Sequence, residues 1–207
     1  MTKTTRYPAL PESLKSQLAV IEPSRCGRLD YYPCQLLLRT RVTMDRVYVA
    51  AETPYISVWG IYPEQDREKF SIRIEDVASL AASPSRLPPQ FANQLYQAGE
   101  SGMGYQIFTL AFSDGTEQAY VTGNAVDFIE YPEGKGPSDV VGVLPHLGRD
   151  RNPRPSPKFH WCLYSDGEVP PYATPVPIDR LRPVSYVRRS WSRLLRRLRR
   201  PQSTNVG

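Results

Sequence analysis

Cys26, Cys34 and Cys162 are the only thiols of this 207-residue chain, and His146 and His160 are its only imidazoles. Cys26-x7-Cys34 combined with His160-x-Cys162 makes a donor set of the kind that holds zinc, one imidazole with three thiolates. The spacing departs from the familiar knuckles, in which two ligands stand two to four residues apart. Cys34 also leads into Leu36–Leu38, as a small core residue does. The same side chains allow a Cys–His nucleophilic pair, Cys34 or Cys162 with His160, because such partners need nearness in space and not in sequence. No GxSxG, HExxH or paired CxxC accompanies them, so free buried thiols and no cofactor are the expectation.

Three further groupings carry chemistry on paper. GESGMG at 99–104 offers glycines for a phosphate cradle, but it follows a helical stretch and enters a strand, whereas phosphate loops leave a strand and open a helix. A helix-to-strand connection is expected there. Asp127 and Glu130 can be drawn as paired carboxylates, and are expected as solvent-facing acids at a strand end. Tyr31, Tyr32, Tyr55, Trp59 and Tyr62 form an aromatic-rich sector, either a recognition surface for a peptide or base, or part of a core and its rim.

The strongest signal is SYVRRSWSRLLRRLRR at 185–200. On a wheel of about 100° per residue, Val184, Val187, Leu194, Leu195 and Leu198 fall within about 60° of Trp191. Arg188, Arg189, Arg193, Arg196, Arg197, Arg199 and Arg200 take the remaining arc, and Pro183 and Pro201 bracket the segment. The spacing predicts an amphipathic helix over 184–200 whose apolar stripe needs cover and whose arginines need water or anions. An anionic membrane surface meets both demands, with lipid phosphates on the arginines. Another protein, or a second copy of the chain in a homo-oligomer, would cover the stripe equally. A nucleic acid would engage the arginines through phosphate contacts but leave the stripe unexplained.

Charge supports this division. The chain carries 26 Lys+Arg against 21 Asp+Glu, net +5, yet nine arginines and no acid lie within 180–200. The remainder is mildly acidic, which argues against a basic groove across a folded domain. The opening MTKTTRYPALPES has no apolar leader core, and no apolar run approaches the roughly 20 residues that span a bilayer. With an odd thiol count, a reducing cytoplasm is expected, with peripheral membrane attachment through the helix.

The elements that must position these groups follow from periodicity. Pro11–Glu22 predicts a short helix with Leu14, Leu18 and Ile21 on one face. Alternation at 36–39, 46–49, 55–59 and 70–74 predicts four half-buried strands. Pro88–Tyr96 predicts a helix ended by Gly99. YQIFTLAFSDGTEQAYVT predicts a hairpin about Asp114-Gly115, with Ser113 opposite Thr116 and Phe108 opposite Val121. AVDFIEY at 125–131 reads as strand or helix. Eleven of 21 prolines lie between Pro132 and Pro183, predicting extended chain with one strand, KFHWCLY, at 158–164.

The expected fold is α+β and mainly antiparallel, a small sheet or partly open barrel with short helices. An arm (1–10) precedes a β-rich domain (11–165), a proline-rich linker (166–183), the arginine helix (184–200) and a tail (201–207). The expected role is that of a non-enzymatic cytoplasmic binding or adaptor protein docked through its C-terminal helix. A nucleic-acid-associated protein and a Cys/His enzyme are the alternatives.

Overall fold

The computed structural model of the protein describes residues 6–168. The 184–200 segment, the 201–207 tail and most of the 166–183 linker lie outside the described residues. Within them the fold is α+β, with two mixed sheets and three helices; neither sheet closes into a barrel.

Helix α1 (Glu12–Leu18) turns Leu14 and Leu18 inward beside Ile21, as its spacing predicts. Strands β1 (Ser24–Cys26), β2 (Leu29–Leu38) and β3 (Thr43–Ala51) then form an antiparallel meander. Expected to be half-buried, β2 and β3 are covered on both faces. Leu29, Tyr31, Tyr48 and Ala50 enter one core; Cys34, Leu36, Val47 and Val49 enter another, sealed by α1.

The 55–59 stretch is a helix, not the strand its alternation predicts. Helix α2 (Glu52–Trp59) ends at Gly60, whose φ of 66° is the left-handed conformation of a helix C-cap. Pro54 explains the outcome: a helix tolerates proline in its first turn, while a strand loses a ladder donor to it. The 70–74 stretch is also shorter than predicted. Only β4 (Phe70–Ser71) pairs, and a 3₁₀ turn over Ile74–Asp76 leads into β5 (Val77–Ala82), antiparallel to β2.

Helix α3 (Pro89–Ala98) opens on proline and stops at Gly99, as predicted. The hairpin of β6 (Gln106–Phe112) and β7 (Glu117–Thr122) also forms, with its register displaced by one residue. Its loop holds three residues, Ser113–Gly115. The Phe112 amide donates to Thr116 O at 3.0 Å, and Gly115 takes a φ of 81°. Phe108 therefore faces Tyr120 and not Val121. Asp114 Oδ1 accepts from the Thr116 amide at 3.0 Å and from Lys135 Nζ at 2.7 Å, which fastens this turn. A slip usually carries apolar side chains into water. Here β6 is buried on both faces, so hydrophobic patterning did not discriminate between the two registers.

β8 (Val140–Pro145) pairs with the other edge of β6, and β9 (Arg154–Pro155) runs parallel to β7, completing the second sheet. The loop after β8 lies on this sheet. Gly148 sits at φ 110° where a Cβ would meet Ala119 Cβ at 2.6 Å and Thr109 Oγ1 at 2.7 Å, so only glycine fits without displacement. Residues 125–131 form neither strand nor helix; they are irregular chain, buried through Ile129 and anchored where the Leu87 amide donates to Asp127 O at 2.7 Å.

β10 (His160–Tyr164) is the predicted 158–164 strand. It returns to the first sheet, between β3 and β4 and parallel to both. That pairing, made with residues far upstream, turns the expected antiparallel sheet into a mixed one. Trp161 projects from β10 into the core between the two sheets, and Cys162 into the core under α1.

Candidate functional site

The aromatic sector is an interior. Tyr31, Tyr55 and Tyr62 are buried, while Trp59 and Tyr32 are half-buried against the two cores. Trp161 organises the group: its ring stacks on Tyr48 at 4.9 Å and meets Tyr55 at 4.9 Å, Tyr31 at 5.5 Å and Trp59 at 5.6 Å edge-on. Lys69 places its ammonium 4.0 Å from the Trp59 ring. Of the two readings of this sector the geometry is that of a core and its rim: α2 and β2 turn most of these rings inward, where burial of about 150–250 Å² apiece stabilises the fold.

The thiols do not converge with His160 on one point. Cys34 and Cys162 lie on strands flanking β3, opposite Val47 and Val49. Two strand spacings, roughly 10 Å, separate them, more than the 7 Å or so that a disulfide can span. Cys26 belongs to the other core. Burial pushes the Cys34 thiol up to about 12 and raises that of Cys162 as well, so neither supplies a thiolate at neutral pH. The His160 ring packs on Phe70 at 5.5 Å, and burial lowers its pKa. Among the described residues, no group of three or more His, Cys, Asp or Glu is placed to hold a metal ion.

Asp127 and Glu130 are not a pair. Glu130 is exposed, whereas Asp127 is fully buried at the centre of a polar knot that sequence reasoning missed. The Tyr96 hydroxyl donates to Asp127 Oδ2 at 2.7 Å, and the Ser24 hydroxyl donates to Oδ1. Arg86, itself buried, stands with Nε 3.7 Å from Oδ1 and donates from its terminal nitrogens to Ser24 Oγ at 3.0 Å and Glu22 O. The Asp127 amide donates to Tyr48 Oη at 3.0 Å. Burial raises the Asp127 pKa against the pull of these donors. Above the knot a shallow, open depression of about 470 Å³ is lined by Val20, Ile21, Leu87, Pro88 and Pro137. The knot is a brace between the 22–24 segment, α3 and the buried 125–129 chain; Arg86 Nε forms no hydrogen bond and meets Asp127 through charge alone.

A second buried acid marks the corner where both ends of the described chain meet. Ser165 N donates to Pro8 O at 2.8 Å, tying the N-terminal residues to the end of β10. Glu52, the first residue of α2, is buried there; Oε1 accepts from the Tyr62 hydroxyl at 3.0 Å and Oε2 has no partner. Arg6 stacks 4.1 Å above the Tyr62 ring, Tyr7 donates to Glu64 at 2.8 Å, and Thr53 donates to Asp166 at 2.8 Å. Burial is the main cause of a raised Glu52 pKa; Asp166 adds to it, while the Tyr62 hydrogen bond, the Tyr7 main chain and Arg6 oppose it.

A carboxyl with a higher pKa folded than unfolded stabilises most below its unfolded value, and that stabilisation is lost as pH rises through the folded value. Glu52→Gln therefore gains stability over the parent as pH rises above about 4.5. It matches the parent at lower pH, where both side chains are neutral. Urea unfolding at several pH values reads this directly, and a difference independent of pH contradicts it.

No protein-family model, curated protein or solved structure matches the chain. Among the described residues no helix is long and apolar enough to cross a membrane. The stripe Val184, Val187, Trp191, Leu194, Leu195 and Leu198, with its arginines, lies outside the described residues. GESGMG joins α3 to β6, the helix-to-strand connection expected of it.

Proposed function

We propose that this protein is a binding or adaptor protein that attaches to anionic membrane surfaces through residues 184–200, with the domain of residues 6–168 as the cargo or partner-bearing body. One observation carries the reading: charge is segregated along the chain. Residues 6–168 hold 16 Lys+Arg against 20 Asp+Glu, whereas 169–207 hold nine arginines and one aspartate. A body with this balance is repelled by anionic lipid, and attachment must come from the arginine segment. Each basic residue near an anionic leaflet contributes about 1 kcal/mol, and Trp191 with its leucines adds an apolar component that salt does not screen. The described domain has spent its aromatic residues on its own interior. The cytoplasmic leaflet supplies the anionic lipid this reading requires.

Vesicle flotation tests it. The full chain is expected to float with phosphatidylserine-containing vesicles and not with pure phosphatidylcholine, and a chain ending at Glu168 is expected to stay at the bottom with both. Equal behaviour of the two chains removes the proposal. Release from vesicles by added RNA, with steep salt dependence, transfers the segment to nucleic-acid binding.

A further inference from the structure

The GESGMG loop holds a serine in an arrangement that its role as a connection does not use. Ser101 Oγ lies 2.9 Å from His146 Nδ1, and His146 Nε2 lies 3.3 Å from Ala98 O. A carbonyl only accepts, so Nε2 carries the imidazole proton, and Nδ1 presents a lone pair to the serine. The Ile107 amide donates to Ser101 Oγ at 2.9 Å. Ile107 O accepts from Ser101 Oγ at 3.2 Å and from the His146 amide at 2.7 Å. The hydroxyl proton has two acceptors within reach, Ile107 O at 3.2 Å and His146 Nδ1 at 2.9 Å, of which the imidazole is the nearer, and the amide on Oγ stabilises charge developing there. These are the two contacts a serine nucleophile needs from its base and the third group that orients the base.

The backbone adds to this. His146 sits at φ 63°, a left-handed conformation that glycine or asparagine adopts more cheaply, and this turn brings its ring back over Ser101. Arg149 donates to the Tyr105 hydroxyl at 3.0 Å and reaches Ser101 O at 3.5 Å, setting a cation beside the loop. Met103 is 98% exposed at the loop tip, an apolar contact for an acyl group.

We propose that Ser101 and His146 form a nucleophile–base pair that accepts acyl groups from carboxylic esters at this surface loop. Ser101 Oγ adds to the ester carbonyl carbon as its proton passes to His146 Nδ1. The carbon–alkoxy bond then breaks, and the alcohol departs with that proton. Water attacks the acyl-serine, giving its proton to His146; the acid is released and the Ser101 hydroxyl is restored. This proposal is independent of the membrane reading, since it uses residues 98–149 alone.

The full chain treated with a fluorophosphonate probe tests it. Peptide mapping is expected to find a single serine adduct, at Ser101, and Ser101→Ala is expected to show none. His146→Asn suits the left-handed turn and leaves Ser101 in place; it is expected to cut the labelling rate by about 100-fold or more, the usual contribution of a general base, with an unchanged melting temperature. Absence of a Ser101 adduct at probe excess that labels a serine hydrolase to completion overturns the proposal. Undiminished labelling of His146→Asn overturns it equally, since the imidazole then only braces the loop.

Discussion

Asp127→Ala is expected to lower the unfolding free energy by about 3–5 kcal/mol, the loss seen when one partner of a buried ion pair is removed. The residue has no exposed surface, and its removal leaves the Arg86 guanidinium without its counter-charge and the Ser24 and Tyr96 hydroxyls without their acceptor. The cost of an unsatisfied buried cation therefore adds to that of each stranded hydroxyl. Arg86→Met is expected to be damaging for the mirror reason. The pair Arg86→Met with Asp127→Leu should recover part of the loss, because apolar residues of like volume replace both charges. Urea unfolding of the parent, Arg86→Met, Asp127→Leu and the double variant gives the coupling directly; additive losses would mean that Arg86 and Asp127 do not interact across the core.

Trp161→Ala is expected to cost a similar amount, about 3–5 kcal/mol, by a different route. Trp161 is the largest fully buried side chain among the described residues, at the junction of β10, α2 and the meander, with Tyr31, Tyr48, Tyr55, Trp59 and Phe159 around it. Alanine leaves a cavity among rigid rings that cannot collapse to fill it. Its Nε1 has no hydrogen-bond partner, so the side chain's contribution is packing. Trp161→Phe keeps most of the volume and loses no hydrogen bond, and should cost well under half as much. Equal costs for the two substitutions would contradict a packing role.

These two residues also show why the fold was partly legible in sequence. Local patterns were sufficient where one chain segment carries both the signal and its partner: α1 from Leu14 and Leu18, α3 from its proline and glycine, the 106–122 hairpin from alternation about Asp114 and Gly115. They failed where the decisive partner is distant. Alternation at Tyr55–Trp59 suggests a strand until Pro54 and the left-handed Gly60 are weighed. Tyr48 reads as the outward residue between Val47 and Val49, and only the second sheet, brought over it by β10 and 125–129, makes it buried. The parallel pairing of His160–Tyr164 with Val47–Ala51 has no local signature, because no turn joins those strands.

The candidate sites divide along the same line. Cys34 and Cys162 as buried thiols were readable from their apolar neighbours. Asp127 was noticed, but for the wrong partner. Arg86, Ser24 and Glu52 gave no signal, since a buried charge is indistinguishable in sequence from a solvated one until its counter-group is located. Ser101 stands inside a glycine loop whose composition points to phosphate, and the histidine it meets lies just past the end of β8.

The reading of the arginine segment depends on order and not on composition, and one permutation isolates that. Residues 184–200 are reshuffled within the full chain so that Trp191 and the leucines are dispersed around the helical circumference while every residue type is kept. The permuted chain is expected to lose most of its flotation with phosphatidylserine vesicles at physiological salt, with the melting transition of the domain unchanged. Retention of full flotation by the permuted chain would mean that charge alone drives attachment and that the segment has no functional apolar side.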